Sequence, residues 1–197
     1  MITLDLTFQE LLLYAINWIE QSEPKILEIN CGKGDFAKLA RKRKIKNFMG
    51  MDARVNLIKQ AKSRNLGYRF MVGDITKNFH YFKKMTTVIL LNQLQKYKRD
   101  EKILNNIKEE TTVIFSVTNY QKKDEYRKFE ARDWFKRYEK YIDFDEVITA
   151  NNPQNPNNRT FLFKGVRNHY IEEDNLAKFP HIKLETAAIT RTYVDDD

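Results

Sequence analysis

A short apolar run, "KILEI" (Lys25–Ile29), leads into "NCGKG" and then into the helix-like "DFAKLARK" (Asp35–Lys42). A strand, a glycine turn and a helix in immediate succession constrain this chain more than any other feature. The alternation then repeats. Asn47–Met51 reads as a second strand, Arg54–Arg64 as a helix and Tyr68–Val72 as a third strand. After a polar, aromatic connection, "TTVILL" (Thr86–Leu91) reads as a buried strand, Asp100–Glu109 as a helix and "TTVIFSV" (Thr111–Val117) as a fifth strand. Apolar strands alternating with helices over roughly a hundred residues predict a parallel sheet covered on both faces.

The flanks are simpler. Leu11, Leu12, Ala15, Ile16 and Ile19 fall on one side of a helix, with Thr7 as N-cap and Glu10 completing a capping box. Pro24 ends that segment. Beyond Asn119, "KKDEYRKFEARDWFKRYEKY" is helical in period and crowded with aromatics and bases. "FDEVITA" and "RTFLFKGV" then read as two strands around the turn-rich "NNPQNPNN", an antiparallel hairpin at the sheet edge. This divides the chain into an N-terminal helix (1–24), an α/β domain (25–166) and a tail (167–197) that carries no strong pattern and reads as partly disordered.

Composition narrows the function classes. No run approaches the ~20 apolar residues of a membrane span, and no basic leader precedes an apolar core, so a soluble, cytoplasmic protein without membrane association is expected. The single cysteine, Cys31, excludes an internal disulfide and a cysteine-rich metal site, and His80, His169 and His181 form no ligand pair at helical spacing. No metal is expected. The net charge is +8 and the pI near 9.4, a balance that attracts phosphate backbones, acidic partners or anionic lipids. A chain rich in Lys, Asn and Ile also carries such a charge with no partner at all.

Gly32 and Gly34 let backbone approach a ligand closely and aim helix N–H groups at it. A triphosphate loop needs G-x-x-x-x-G-K-[ST], which the chain lacks. The dinucleotide pattern G-x-G-x-x-G/A is met by Gly32, Gly34 and Ala37, with Asp52 further on. Glu28 opposes that reading. A carboxylate just ahead of the turn repels a pyrophosphate but attracts the ammonium of S-adenosylmethionine, and it is expensive to bury without a partner.

With Glu28 in front of the glycines, "ILEINCGKGDFAKLA" resembles the first motif of class I S-adenosylmethionine-dependent methyltransferases, acidic-x-Gly-x-Gly-x-Gly. The resemblance covers Lys25 to Val117 well and the two closing strands loosely. It implies a Rossmann-like sheet, mostly parallel with an antiparallel C-terminal edge hairpin and helices on both faces. It also implies that Glu28, Asn30, Gly32 and Gly34 line the methionine end of the cofactor. Asp52, closing "NFMGMD", matches the residue that takes the ribose hydroxyls, and Asp74 in "MVGDIT" the one that meets the adenine amino group. Asn92, following the fourth strand in "VILLNQLQ", lines the methyl-transfer site. Asn30 departs from the pattern, standing where the motif has its first glycine; asparagine tolerates a left-handed backbone better than other side chains.

Methyl transfer from a sulfonium is an in-line displacement that the protein mainly aligns, so no universal catalytic residue marks the acceptor. "NQLQ" in place of an Asn-Pro-Pro-Tyr motif disfavours amino-methylating DNA enzymes, and the lack of a cysteine there disfavours cytosine-C5 chemistry. RNA is the expected acceptor. "CGKG" followed by a base-rich helix is similar to the mRNA cap guanine-N7 methyltransferases, and aromatics interleave with bases in "NFHYFKK" (Asn78–Lys84) and in Tyr126–Tyr141. At helical spacing, Phe129, Trp134, Phe135 and Tyr138 pack equally well onto the sheet. The alternatives are a catalytically inactive methyltransferase-like subunit that binds RNA or a partner enzyme, and a small-molecule methyltransferase. A nicotinamide oxidoreductase ranks behind these because of Glu28.

Overall fold

The computed structural model describes residues 4–94, 97–119, 131–152 and 155–168. β1 (Leu4–Asp5) and α1 (Phe8–Asn17) come first, then β2 (Lys25–Ile29), α2 (Asp35–Lys42), β3 (Asn47–Asp52), α3 (Val55–Arg64) and β4 (Arg69–Val72). Two 3₁₀ turns, Ile75–Lys77 and Phe79–Lys84, lead to β5 (Thr87–Leu91) and α4 (Tyr97–Leu104). β6 (Thr112–Asn119), α5 (Ala131–Tyr138), β7 (Ile142–Asn152) and β8 (Asn155–Arg167) complete the described chain.

The strands form one sheet in the order β1-β7-β8-β6-β5-β2-β3-β4. β4, β3, β2, β5 and β6 run parallel to one another, while β8 inserts antiparallel between β6 and β7. The expected edge hairpin is therefore present, with its second strand inside. β1 then pairs in parallel with the outer edge of β7 over Leu4↔Ala150 and Asp5↔Asn151. Two residues give no readable period, so this strand has no sequence signal.

Strand alternation sends side chains to two apolar layers. Leu27, Ile29, Val88, Leu90, Val113 and Phe115 face one layer, which holds Trp134, Phe135 and Tyr138 of α5. Ile26, Phe48, Phe70, Ile89, Ile114 and Leu162 face the other, which holds Leu12 and Ile16 of α1, Phe36 and Ala40 of α2, and Ile58 of α3. The aromatics of α5 are thus core, as their spacing allows; Phe129 lies outside the described residues. The Thr7–Glu10 capping box forms as expected.

Three boundaries differ from the sequence pattern. α4 spans Tyr97–Leu104 rather than Asp100–Glu109, because the chain turns at Asn106, whose Nδ2 donates to Lys102 O at 2.8 Å. Ile107 stays buried beyond the helix and mimics its period. "NNPQNPNN" is mostly strand: the β7–β8 ladder continues through Asn151↔Arg159 to Asn152↔Asn155. Of the long aromatic helix, Ala131–Tyr138 is helical, and residues 120–130 lie outside the described residues, as does the tail from 169.

Candidate functional site

From β2 the chain moves outward through β3 and β4, then returns to β5 on the other side of β2. That reversal creates a crevice outside the carboxyl ends of β2 and β5, where open α/β sheets bind ligands. Each site residue expected from sequence follows or ends one of the four adjacent strands β2, β3, β4 and β5.

Asn30 leaves β2 with φ 54°, and Asn92 leaves β5 with the same φ of 54°. Both sides of the crevice are thus shaped by asparagines in the left-handed region, where asparagine is the best non-glycine choice. Asn30 keeps the turn that the missing glycine would have made. Its Nδ2 donates to Gln93 Oε1, so the two asparagine corners are tied across the crevice. Asn92 is fixed from the far side. Its Oδ1 accepts from Thr118 Oγ1 at 2.8 Å and from Ser116 Oγ at 3.2 Å, and Thr118 bonds Thr160 at 2.9 Å.

The two glycines do different work. A Cβ on Gly32 (φ 56°) would meet nothing within 4 Å, so this face of the turn is open. A Cβ on Gly34 (φ 82°) would lie 2.5 Å from Asn65 Nδ2 and 3.3 Å from Ala61 Cβ. Gly34 therefore admits α3 against the start of α2, and buried Asn65 seals the contact by donating to Gly34 O and Ala61 O.

Two carboxylates lie beneath the turn. Glu28 is 6% exposed, and its Oε2 has no hydrogen-bond partner. Burial, with Asp35 and Asp52 adding negative charge, pushes its carboxyl well above the usual range. Asp52 is also shielded from solvent but fully paired. Its Oδ2 accepts from Gly32 N and Arg54 Nη2, and its Oδ1 from Arg54 N and Nε, all at 2.9 Å. Burial works against its charge, but these bonds from Arg54 and Gly32 hold the carboxyl below its ordinary value. Arg54 was not expected from the sequence; it stands two residues past Asp52, outside any motif. Gln93 was likewise hidden, its role depending on Asn30 across the crevice.

Asp74 follows β4 and is exposed. Its Oδ1 accepts from Thr76 N at 2.9 Å and Thr76 Oγ1 at 2.8 Å, which caps the first 3₁₀ turn and lowers its pKa. Gly73 N donates to Asp52 O, so the ends of β3 and β4 are held together, but no direct bond joins Asp74 to the other site residues. Burial, with Glu28 and Asp52 nearby, pushes the Cys31 thiol up, so it stays protonated and is no nucleophile. Among the described residues no cluster of His, Cys, Asp or Glu could hold a metal, and no helix is long and apolar enough to cross a membrane.

The sequence profile of a family described as methionine biosynthesis protein MetW matches residues 10–125. No curated protein matches the chain by sequence. Among solved structures, magnesium protoporphyrin IX methyltransferase from Synechocystis PCC 6803 with bound S-adenosylmethionine is similar at 16% identity and TM-score 0.60, over 81% of this chain and 79% of that one. The N-methyltransferase NodS of Bradyrhizobium japonicum WM9, in complex with S-adenosylhomocysteine, is similar at 13% identity and TM-score 0.58, over 82% and 86%. A complex of the Haloferax volcanii Trm112 methyltransferase activator with a methyltransferase gives 13% and 0.62, over 82% and 90%. These likenesses establish the class I methyltransferase fold.

Proposed function

The chain belongs to the family described as methionine biosynthesis protein MetW, and from that premise we propose that it is an S-adenosylmethionine-dependent methyltransferase acting on RNA. Glu28 is the observation that carries the cofactor reading. A buried carboxyl with an unpartnered oxygen is costly, and an ammonium group is the partner that would offset the cost. Because burial raises its pKa, a cation arriving beside Glu28 draws off its proton, so binding is coupled to proton release.

The remaining residues fit the same ligand. Open space at Gly32 accommodates its methionine end. Asp52 takes the ribose hydroxyls once Arg54, whose side chain is 60% exposed, yields its place. Asp74 meets the adenine amino group, and Asn92 lines the transfer site. The cofactor supplies an electrophilic methyl group on a sulfonium. The chain's own part is to bind, to keep water out of the crevice and to align the acceptor, which brings much of the rate without a dedicated base. Bound S-adenosylmethionine and S-adenosylhomocysteine in the two similar methyltransferases support this cofactor. For RNA the support is the charge of +8, suited to a phosphate backbone.

Titration calorimetry with S-adenosylmethionine tests the first half. Binding that weakens in Glu28→Ala and Asp52→Ala is expected; no binding to the native protein at sub-millimolar cofactor overturns it. Methyl-labelled cofactor incubated with fractionated RNA, protein and metabolite pools tests the second, with label expected in RNA.

A second reading rests on the Asn30–Gln93 tie and on Arg54 occupying Asp52. Both lie where the ligand would go. They favour a non-catalytic methyltransferase-like subunit that binds RNA or a partner enzyme, and the similar Trm112 complex makes a protein partner a natural comparison. Methylation of any pool at a catalytic rate removes that reading.

A further inference from the structure

The opposite end of the sheet holds a second cavity. It has a volume of about 640 Å³ and lies at the amino ends of β2, β3 and β4, under the second 3₁₀ turn. Lys25, Arg69, Lys83, Lys84 and Lys108 line it, and no carboxylate does. All five are exposed, and none forms an ion pair with another described residue. Glu109 and Glu110 follow Lys108 in the chain but are not among the residues that line the cavity. Some cations elsewhere do find carboxylates, as Arg54 with Asp52, Arg64 with Asp35 and Lys164 with Glu146, whereas what sets these five apart is that they line one cavity.

Beneath the cations lie Ile26, Phe48 and Met49, core residues of the sheet that are at most 5% exposed, and half-buried Met85. His80 and Tyr81 stand at the edge with ring centroids 4.0 Å apart. "NFHYFKK" thus divides its labour. Phe82 is fully buried and Phe79 packs against the core, His80, Lys83 and Lys84 turn to the cavity, and Tyr81 does both, packing against the core and lining the cavity.

We propose that this basic groove binds a single-stranded RNA segment, at a site separate from the cofactor crevice. The rings of exposed His80 and half-buried Tyr81 suit bases, and five cations with no ion pair among the described residues suit phosphates. The layout favours a polymer over one phosphate. Lys108 precedes β6, Lys83 and Lys84 precede β5, Lys25 starts β2 and Arg69 starts β4. In sheet order these starts span four strand spacings, ~19 Å, enough for about five stacked phosphates at ~3.4 Å each. A duplex keeps its bases stacked inside and cannot present them to the His80 and Tyr81 rings; a single strand can. The choice of RNA over DNA rests on the acceptor reading above. The groove and the crevice are separated by the length of β2, ~16 Å for its five residues. The groove would hold a flanking segment while another part of the same strand reaches the crevice.

Fluorescence anisotropy with a labelled, unstructured 12-mer RNA over a salt series tests this without any methyl transfer. At ~0.7 per neutralised phosphate, five contacts give a log–log salt slope of about −3.5 for the native protein. Arg69→Ala/Lys83→Ala/Lys84→Ala is expected to weaken binding at least tenfold and to flatten the slope by about 2. Lys38→Ala/Lys42→Ala/Lys59→Ala removes the same charge from α2 and α3 and is expected to change affinity less than threefold. Tyr81→Leu should weaken binding while leaving the slope unchanged. An unaltered slope in the groove variant, or equal loss in the α2/α3 control, overturns the proposal. So does equal or tighter binding of duplex RNA, of the matching DNA strand, of polyglutamate or of a free mononucleotide. Calorimetry with S-adenosylmethionine on the same proteins separates the two sites. Lost cofactor binding with intact RNA binding refutes the proposed activity alone, and the reverse refutes the groove alone.

Discussion

Glu28 and Asp52 show how two carboxylates that are both shielded from solvent acquire opposite properties. Asp52 receives four hydrogen bonds and stays charged, whereas Glu28 has an oxygen with none. A raised native pKa means that the folded protein keeps a proton the unfolded chain has released. Stability therefore falls as pH rises from about 4.3, the ordinary glutamate value, through the raised one. Glu28→Gln is expected to raise the melting temperature of the ligand-free protein at pH 7, at ~2–4 °C per kcal/mol, and to leave it unchanged near pH 4. Thermal melts at the two pH values check this. Gly34 is the other residue with a sharp expectation. Gly34→Ala forces alanine into the left-handed region, about 1–2 kcal/mol by itself, and drives its methyl into Asn65. Denaturant unfolding should show a loss above that figure, whereas Gly32→Ala, with open space around it, should show only the backbone cost.

Among the elements, β8 carries the least expected burden. Placed between β6 and β7, it brings Lys164 into the sheet interior beside Glu146, with Nζ 2.9 Å from Glu146 Oε1 and 2.9 Å from Glu20 Oε1. Glu146 is 7% exposed, so removing its partner leaves a buried charge unpaired. Lys164→Ala is expected to cost about 3–5 kcal/mol, read as a lower urea midpoint at unchanged slope. The start of α1 is a milder case. Thr7→Ala loses the capping box and is expected to cost about 1 kcal/mol, since the helix still buries Leu11, Leu12, Ala15 and Ile16. These elements also show what the sequence makes legible. β2, β3, β5 and β6 are continuous apolar runs, and each is found within two residues of its expected bounds. α4 starts and ends earlier than its pattern because Ile107 packs outside the helix at a helical interval, and β1 carries no sequence signal because two residues hold no period.

For the whole molecule, the sheet has two chemically different ends. Its carboxyl end gathers Glu28, Asp52 and Asp74, while its amino end gathers Lys25, Arg69, Lys83, Lys84 and Lys108 around one cavity. A ligand bound only by the folded state stabilises it by about 2.7 kcal/mol at a hundred times its dissociation constant. S-adenosylmethionine at that excess is expected to raise the melting temperature by roughly 5–10 °C. Absence of any shift in a thermal-shift titration would count against the crevice as its site. The sequence by itself determined the alternation, the glycine turn and the order of acidic residues at strand ends, because periodicity and turn chemistry are local. Only the tertiary structure decided that Asn30 reaches Gln93, that Arg54 covers Asp52, that Gly34 serves α3 and that five cations share one groove. Those facts depend on which strands lie side by side, and neighbours in a sheet need not be neighbours in the chain.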